Sequence, residues 1–424
     1  MRGRVAFVAV AVAVVASACD GPRGPEARGV TASPQAPGRD DRERRDQAAA
    51  LMLRFAERTG LTSARAERRY LWTDAFAVCN FLGLARATGE ARYTELALRL
   101  IDRVHHTLGK HRADDARTGW LSGLSAQDGE AHPTRGGLRI GKELPERRPD
   151  QPFDERLEWE RDGQYFHYLT QWMHALDRAA RATATPRFNR WGRELAETAR
   201  AAFAHGARGT SLRRMYWKMS IDLGRPLVPS MGQHDALDGY VACAELRATA
   251  AASGEPAAGP TPPTLEDEAR DFARMIDVDN LATADPLGIG GLLVDAHRLD
   301  RLVRRGAGAD GGLRDRLLGA AIAGLEQYAR AGDLGRPAER RLAFRELGLA
   351  IGLHAVAAMR RGATDEPERR LLEALRPYDR LADDVIAFWL EPEHQRSSTF
   401  VEHEDINEVM LATALAPEGF LGEL

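Results

Sequence analysis

The sequence has few of the residues that would point to a metalloprotein or to a disulfide-stabilised protein. Its 424 residues include only three cysteines, Cys19, Cys79 and Cys243, and no Cys/His spacing is typical of a zinc site. We therefore predict no metal and no cofactor. The formal net charge of -3 gives no electrostatic footprint for nucleic acid. No region alternates apolar and polar residues with the period of two that is typical of a β-sheet.

The sequence also lacks a clear membrane-spanning run near its N-terminus. Residues 5–15 are apolar but too short to span a bilayer comfortably. A small-residue segment ending in Cys19 follows and resembles the bacterial lipobox. We therefore predict a lipoprotein signal peptide over residues 1–19, with Cys19 as the lipidation site, and a disordered tether over residues 20–41. These features predict a lipid-anchored, extracytoplasmic protein of the bacterial cell envelope.

One sequence template recurs along the rest of the chain. Residues 72–106 read as an aromatic and acidic start, an apolar helix, a short turn and a second helix, and residues 159–203 repeat this order. Self-similarity on this scale indicates stacked helical hairpins, because one hairpin cannot bury its apolar face alone. More diverged copies pair residues 235–249 with 265–276, residues 287–302 with 313–329, and residues 342–359 with 367–390.

Two single helices remain without a partner at the ends of this pattern. Residues 406–415 have no second helix in the pattern, and residues 42–59 carry an apolar stripe that requires one. The stripe consists of Ala48, Leu51, Met52, Phe55 and Ala56. We predict that the two helices pair and close a ring. Residues 42–424 would then form an all-α domain, an (α/α)6 toroid of six helical hairpins; an open helical solenoid is the alternative.

The connections between hairpins indicate where a site should lie. Residues 109–158 and 206–233 are long connections that lead to the N-terminal ends of inner helices, and loops of this length are usually functional. Helix N-termini favour anions and hydroxyl acceptors. Acids, histidines and tryptophans collect there, as sugar chemistry requires, because rings stack on sugars and carboxylates move protons. The predicted stacking surfaces are Trp72, Trp159 and Trp217.

The architecture and the helix-start segments resemble the six-hairpin glycosidase-like superfamily of (α/α)6 enzymes. Residues 159–165 resemble the Trp-x-Arg-Gly-x-Gly-Trp segment of unsaturated glucuronyl and rhamnogalacturonyl hydrolases. The segment departs from this pattern at Asp162, which replaces the first glycine, and at Tyr165, which replaces the last tryptophan. From this segment we predict substrate-binding roles for Arg161, Gln164 and Tyr165, together with Lys218 from the second long connection.

A second segment is similar to one in N-acylglucosamine and cellobiose 2-epimerases. Those enzymes have a Gly-His-x-x-Glu segment at the start of an inner helix and another histidine near the C-terminus. The corresponding residues 232–235 read Gly-Gln-His-Asp, with one extra residue before His234. Asp238 lies one place late for the glutamate, and His403 is the candidate for the C-terminal histidine.

Three functions remain open, two of them enzymatic and one non-catalytic. The leading hypothesis is an exported glycoside hydrolase with Asp162 as acid/base and Asp235 as its carboxylate partner. The first alternative is a sugar 2-epimerase or isomerase in which His234 and His403 exchange a proton at a sugar carbon. The second is a non-catalytic lipoprotein that binds glycans or serves as a scaffold. Asp162 and Asp235 in one cleft would favour the hydrolase, and His234 facing His403 would favour the epimerase; the sequence leaves the sugar and the oligomeric state open.

Overall fold

The computed structural model describes residues 39–206, 213–253 and 262–422, and nearly all of them belong to one compact unit that begins at Asp40. The predicted signal peptide, with Cys19, lies outside the described residues, as does most of the predicted tether. Helix α1 (Arg39–Arg58) takes in the last residues of that tether, because Asp40 and Asp41 in its first turn suit the positive end of the helix dipole. Among the described residues, no helix combines the length and apolarity needed to cross a membrane.

Helices make up most of the described residues and follow the predicted order. In chain order they are α1 (Arg39–Arg58), α2 (Leu71–Thr88), α3 (Ala91–Leu108), α4 (Ala126–Ala131), α5 (Glu155–Glu160), α6 (Phe166–Thr183), α7 (Pro186–Phe203), α8 (Asp235–Ser253), α9 (Glu266–Met275), α10 (Pro286–Arg304), α11 (Gly311–Ala331), α12 (Ala343–Gly362), α13 (Glu366–Ala374), α14 (Leu381–Leu390), α15 (Ser398–Val401), α16 (Glu404–Leu415) and α17 (Glu418–Leu421). Short 3-10 turns lie at Asp333–Gly335, Ala338–Arg340, Arg376–Tyr378 and His394–Arg396.

An inner ring of helices closes on itself. Helices α2, α6, α8, α10, α12 and α16 each pack on the next, and α16 packs back on α2. The remaining long helices form the outer layer, with α1 beside the seam between α16 and α2. At this seam Arg58 donates hydrogen bonds to Asp405 (2.7 Å) and Glu408 (2.7 Å) of α16. The predicted (α/α)6 toroid, closed by pairing of its N- and C-terminal helices, is confirmed.

The inner helices are buried on most of their faces because each contacts two neighbouring inner helices and the outer layer. The apolar stripe predicted on α1 is buried along its whole length. Helices α10 and α12 approach closely at Gly290 and Gly348, where a Cβ on Gly290 would lie 2.2 Å from the Gly348 carbonyl oxygen. The ring therefore needs glycine at this crossing.

The fifth outer helix differs from its prediction. Residues 367–390 were predicted as one helix, but α13 ends at Ala374 and α14 begins at Leu381. Pro377 lies in the intervening 3-10 turn, and proline cannot continue an α-helical hydrogen-bond ladder. Helix α17, which follows the predicted last helix, was not predicted.

Small sheets join the two long connections. The strands are β1 (Gln164–Tyr165), β2 (Ala204–Gly206), β3 (Arg213–Met215), β4 (Lys218–Met219) and β5 (Pro226–Val228). Strand β4 is central and pairs antiparallel with β1 and β5, whereas β2 pairs with β3. The register Tyr165↔Lys218 brings the end of the first long connection against the second.

This sheet corrects the predicted start of the second inner helix. Helix α6 begins at Phe166, whereas Trp159 lies in the separate short helix α5. Gly163 between them has φ 149°, a conformation that favours glycine, and a Cβ there would lie 2.7 Å from the Met219 carbonyl oxygen. The prediction that Asp162 begins an inner helix is therefore wrong, because the chain passes through a strand before the helix starts.

Candidate active site

A cavity of ≈ 1030 Å³ opens at the end of the toroid where the inner helices begin. Each inner helix contributes at least one lining residue from its first turn, and the two long connections add residues at the rim. The first-turn residues are Trp72, His167, Asp235, Leu287, Phe344 and Asp405. All six helix N-termini therefore meet at one cavity, which concentrates polar side chains there.

The structure brings together some of the predicted site residues and separates others. Those that line the cavity are Trp72, Trp159, Tyr165, Trp217, His234, Asp235 and His403. Those that lie outside its lining are Arg161, Asp162, Gln164 and Lys218. The carboxylate pair predicted for a hydrolase is thus divided, whereas the histidine pair predicted for an epimerase lines one cavity.

Asp162 is a buried structural carboxylate in this arrangement. Its side chain is 0% exposed. Its Oδ2 accepts hydrogen bonds from Arg139 Nη1 (2.5 Å) and Arg112 Nη1 (3.1 Å), and its Oδ1 accepts from the backbone N–H groups of Gly141 and Gly163 (3.0 Å each). Both oxygens are occupied by protein donors, so the geometry gives Asp162 no access to a substrate.

Gln164 and Lys218 also make contacts within the protein. Gln164 Oε1 accepts a hydrogen bond from Leu138 N (2.8 Å). Lys218 Nζ donates to the carbonyl oxygens of Glu158 (2.6 Å) and Arg161 (2.8 Å). Burial lowers the pKa of Lys218, although its hydrogen bond to Glu158 opposes this effect. These residues fasten the long connections to the sheet, which explains their separation from the cavity.

Asp235 is the cavity-lining carboxyl group best suited to proton transfer. It is buried in the first turn of α8, and its Oδ2 accepts a hydrogen bond from Gly232 N (2.9 Å). Burial raises the pKa of Asp235 to about 7, and the neighbouring charge of Asp238 adds to the shift. A carboxyl with this pKa can give or take a proton near neutral pH.

His234 has a defined tautomer when it is neutral. Its Nε2 lies 2.8 Å from the carbonyl oxygen of Leu281, and a carbonyl only accepts hydrogen bonds. The Nε2 atom must therefore carry the proton, so Nδ1 holds the free lone pair.

His167 and Asp238 form a second pair in the cavity, between the first turns of α6 and α8. His167 Nδ1 lies 2.7 Å from Asp238 Oδ2, and Trp72 Nε1 donates to His167 Nε2 at 3.3 Å. Burial alone would lower the pKa of His167, but the hydrogen bond and charge of Asp238 outweigh it and raise the pKa. Asp295 in turn interacts with Asp238 from α10, so the imidazole has a fixed orientation.

His234 and His403 stand on opposite walls of the cavity. His234 immediately precedes α8 and His403 immediately precedes α16. These helices are three steps apart in the ring of six inner helices. The His403 ring lies edge-on to Phe344, with centroids 5.8 Å apart.

Aromatic rings cover much of the mouth of the cavity, the opening at the N-terminal ends of the inner helices. Trp159 and Trp217 meet at right angles with centroids 4.9 Å apart, and the hydroxyl groups of Tyr70 and Tyr168 lie 2.7 Å apart. Such rings offer apolar faces for the C–H groups of a sugar together with polar edges.

The His167–Asp238 pair was not predicted. His167 resembles a wall histidine when its own helix is viewed alone, and its partner lies 71 positions away. The available signal was that both residues fall in the first turns of consecutive inner helices. In the described part of the chain, no group of three His, Cys, Asp or Glu side chains is arranged to hold a metal ion.

The closed ring of hairpins with a cavity at its helix N-termini defines the class of fold, an (α/α)6 toroid, and two solved structures are similar to it over most of their length. A D-mannose isomerase is similar, with a TM-score of 0.50 and 11% identity over 90% of this chain and 99% of that chain. The GH76 alpha-mannanase of Bacteroides thetaiotaomicron has a TM-score of 0.51 and 9% identity over 88% of this chain and 96% of that chain.

A cellobiose 2-epimerase of Spirochaeta thermophila has a TM-score of 0.45 and 13% identity over 88% of this chain and 97% of that chain. No protein-family model and no curated protein sequence matches the chain. At identities this low, the similarity to the D-mannose isomerase and the mannanase establishes the fold alone, and function must be argued from the cavity.

Proposed function

We propose that this protein is a carbohydrate-active enzyme that interconverts sugar isomers by proton transfer at a carbon next to the carbonyl, as an isomerase or epimerase. One observation carries the proposal: His234 and His403 line opposite walls of one cavity, and Asp235 adjoins His234. Asp162, the acid of the predicted hydrolase mechanism, is buried outside the cavity lining.

The chemistry follows from this arrangement. A base removes the proton from C2 of the open-chain sugar while an acid protonates the carbonyl oxygen, which gives an enediol. Return of a proton to C1 produces the ketose, and return to the other face of C2 produces the epimer. Histidines on opposite walls can serve opposite faces of the planar enediol, and Asp235, with its pKa of about 7, can act as donor or acceptor.

The other lining groups would bind and orient the sugar. Trp72 lies in the first turn of α2 and its indole N–H is held by His167, so its ring has a fixed position for stacking. Trp159, Tyr165 and Trp217 would cover the sugar from the rim. His167, held by Asp238, would keep the Trp72 indole in this position.

Proton exchange with solvent tests the proposal directly. The protein would be incubated in D₂O with glucose, mannose, fructose, N-acetylglucosamine and cellobiose, and NMR would follow loss of the C2–H signal and formation of isomers. We expect exchange with at least one sugar, and its loss in a His234→Asn/His403→Asn double variant. Release of sugars from glycosides without any C–H exchange would contradict the proposal.

A glycoside hydrolase is the second candidate, because the raised pKa of Asp235 also suits a general acid near neutral pH. This reading needs a second carboxylate from the cavity in place of Asp162. Release of reducing sugar from mannan or from aryl glycosides, lost in Asp235→Asn, would support it over the isomerase.

We also propose that the protein is exported and anchored through a lipid on Cys19, on the strength of the lipobox-like segment alone. Cys19→Ser should release the mature domain from the membrane fraction or leave the precursor uncleaved. Unchanged membrane retention with normal processing would contradict this assignment.

A further inference from the structure

Helix α17 occupies the inside of the ring at the end opposite the mouth. It packs on α2 and α10, which stand on opposite sides of the ring. We call Glu418–Leu421 the plug. The Phe420 ring of the plug stacks on Phe76 with centroids 4.5 Å apart and lies edge-on to His174 at 4.9 Å. The plug therefore closes the ring at the end opposite the opening of the cavity.

Polar residues of the inner helices fix the plug through its backbone. Arg178 Nε donates to the carbonyl oxygen of Gly419 (3.0 Å). His174 Nε2 bonds the carbonyl of Phe420 and His297 Nε2 bonds that of Leu421, both at 3.1 Å. Because these contacts reach backbone atoms, they hold the Phe420 ring in place without depending on its chemistry.

A second pocket of ≈ 60 Å³ lies between the cavity and the plug. This deep pocket shares Trp72, His167 and Asp238 with the cavity above, and Phe420 forms part of its lining. A water molecule in the liquid occupies about 30 Å³, so the deep pocket has room for roughly two non-hydrogen atoms. That is the size of a hydroxymethyl group.

The deep pocket offers a donor and an acceptor for a hydroxyl group. Gln171 and Arg298 line it and are each less than a tenth exposed. Within the described residues, Gln171 Oε1 and Arg298 Nη2 have no hydrogen-bond partner. Buried polar groups without partners cost free energy, and a hydroxyl group can donate to an amide oxygen and accept from a guanidinium nitrogen. The carbon of the same group would contact Phe420.

We propose that the deep pocket is the subsite for the terminal hydroxymethyl group of a hexose and that Phe420 sets its depth. This inference rests on the proposed function for the direction of the sugar. His234 and Asp235 line the main cavity but not the deep pocket. The reacting C1–C2 end of the sugar would therefore lie in the main cavity, and the C6 end would enter the deep pocket. Phe420 then excludes sugars that carry a substituent on O6 and restricts the enzyme to free sugars or chain ends with an unsubstituted O6.

Calorimetric binding of ligand pairs tests this inference. The probes are D-glucose and D-mannose, their 6-O-methyl ethers and their methyl glycosides. We expect the wild-type protein to bind a parent sugar at least about tenfold more tightly than its 6-O-methyl ether. Phe420→Ala should reduce that ratio to about threefold or less, because the missing ring makes room for the added methyl group.

Two variants separate specificity from stability. Phe188→Ala removes a buried ring from α7 that lines neither pocket; it should lower the melting temperature yet leave the binding ratio unchanged. Phe420→Leu keeps an apolar side chain and should give an intermediate ratio, which keeps the test open if the alanine variant does not fold.

The inference is overturned by an unchanged ratio in a folded Phe420 variant, by rejection of the methyl glycosides instead of the 6-O-methyl ethers, or by absence of binding to every probe. Selective binding without any proton exchange would leave the inference standing and overturn the proposed isomerase activity. The two failures are therefore distinguishable.

Discussion

The two ends of the inner ring use their polar groups differently. At the closed end, Arg178 and Arg301 lie in the C-terminal halves of α6 and α10 and donate to backbone carbonyls of the plug region at 3.0 and 2.9 Å. At the open end, Asp235 and His234 line a cavity, and burial raises the pKa of Asp235 to about 7. The charged groups at the closed end stabilise the fold, whereas groups at the open end are placed to exchange protons with a ligand.

The same contrast separates Asp162 from Asp235, which were predicted as one catalytic pair. Both are buried, but only Asp235 lines the cavity. Burial alone therefore does not identify a catalytic acid; the number of protein donors on its oxygens and its access to a ligand do.

The largest expected effect is that of Asp235→Asn on turnover. We expect the rate of C2 proton exchange to fall by roughly a thousandfold, because the amide cannot transfer the proton. The fold should persist, since the amide oxygen can still accept the hydrogen bond from Gly232 N. Exchange followed by NMR, with a melting curve on the same sample, measures both. Retained activity would remove Asp235 from the mechanism.

Asp162→Asn should have the opposite signature. Loss of the carboxylate leaves Arg112 and Arg139 without their shared buried counter-charge, so the free energy of unfolding should fall by about 3–5 kcal/mol. Exchange activity per folded molecule should change by less than about twofold. Urea unfolding and exchange rates measure the two quantities.

Asp114→Asn is the matched control for Asp162→Asn. Asp114 pairs with the same Arg112 but has a side chain that is 56% exposed, so its loss should cost less than about 1 kcal/mol. A loss of activity without a loss of stability in Asp162→Asn would restore its predicted catalytic role.

The third prediction concerns pH. The pKa of Asp235 is about 7 in the folded state against an ordinary value of 3.8, so the folded protein binds more protons than the unfolded chain between these values. The contribution of Asp235 to the free energy of unfolding therefore falls as pH rises from about 4 to 7, with a slope of at most about 1.4 kcal/mol per pH unit. Asp235→Asn should lack this slope. Parallel urea titrations across the window would reveal it, and identical slopes would contradict the shifted pKa.

The smallest expected effect tests charges at the open end that serve the fold. Arg58 joins α1 to Asp405 and Glu408 across the seam and is 16% exposed. Arg58→Ala should lower the free energy of unfolding by about 1 kcal/mol. Arg44→Ala, which removes a more exposed pair with Asp383, is the control and should have less effect. Equal losses of unfolding free energy in the two variants would show that the ion pairs at the seam stabilise the fold no more than an exposed pair does.

The ring was predictable because it depends on local patterns. The stripe on residues 42–59 follows from helical spacing, and the need for a partner follows from two unpaired helices. The site was less predictable because non-local pairing decides it. The aromatic and acidic residues 159–162 resemble a helix start, but the pairing of Gln164 with Met219 makes the next residues a strand.

The plug was not predictable for a related reason. Four residues, Glu418–Leu421, are too few to show helical periodicity, and their position depends on His174, Arg178 and His297 from distant helices. The His167–Asp238 pair depends likewise on the order of helices around the ring. Periodicity reveals which faces are buried, but not which first-turn residues meet.

The seam between α1 and α16 has a consequence for the order of folding. Arg58 and Asp405 are 347 positions apart in the chain, and the entropy of closing a loop of this length corresponds to about 5 kcal/mol. Contacts within each hairpin are far closer in sequence and form sooner. We therefore expect hairpins to assemble first and the ring to close last. Because α8 and α16 supply facing walls, refolding should restore helical circular dichroism before it restores sugar binding.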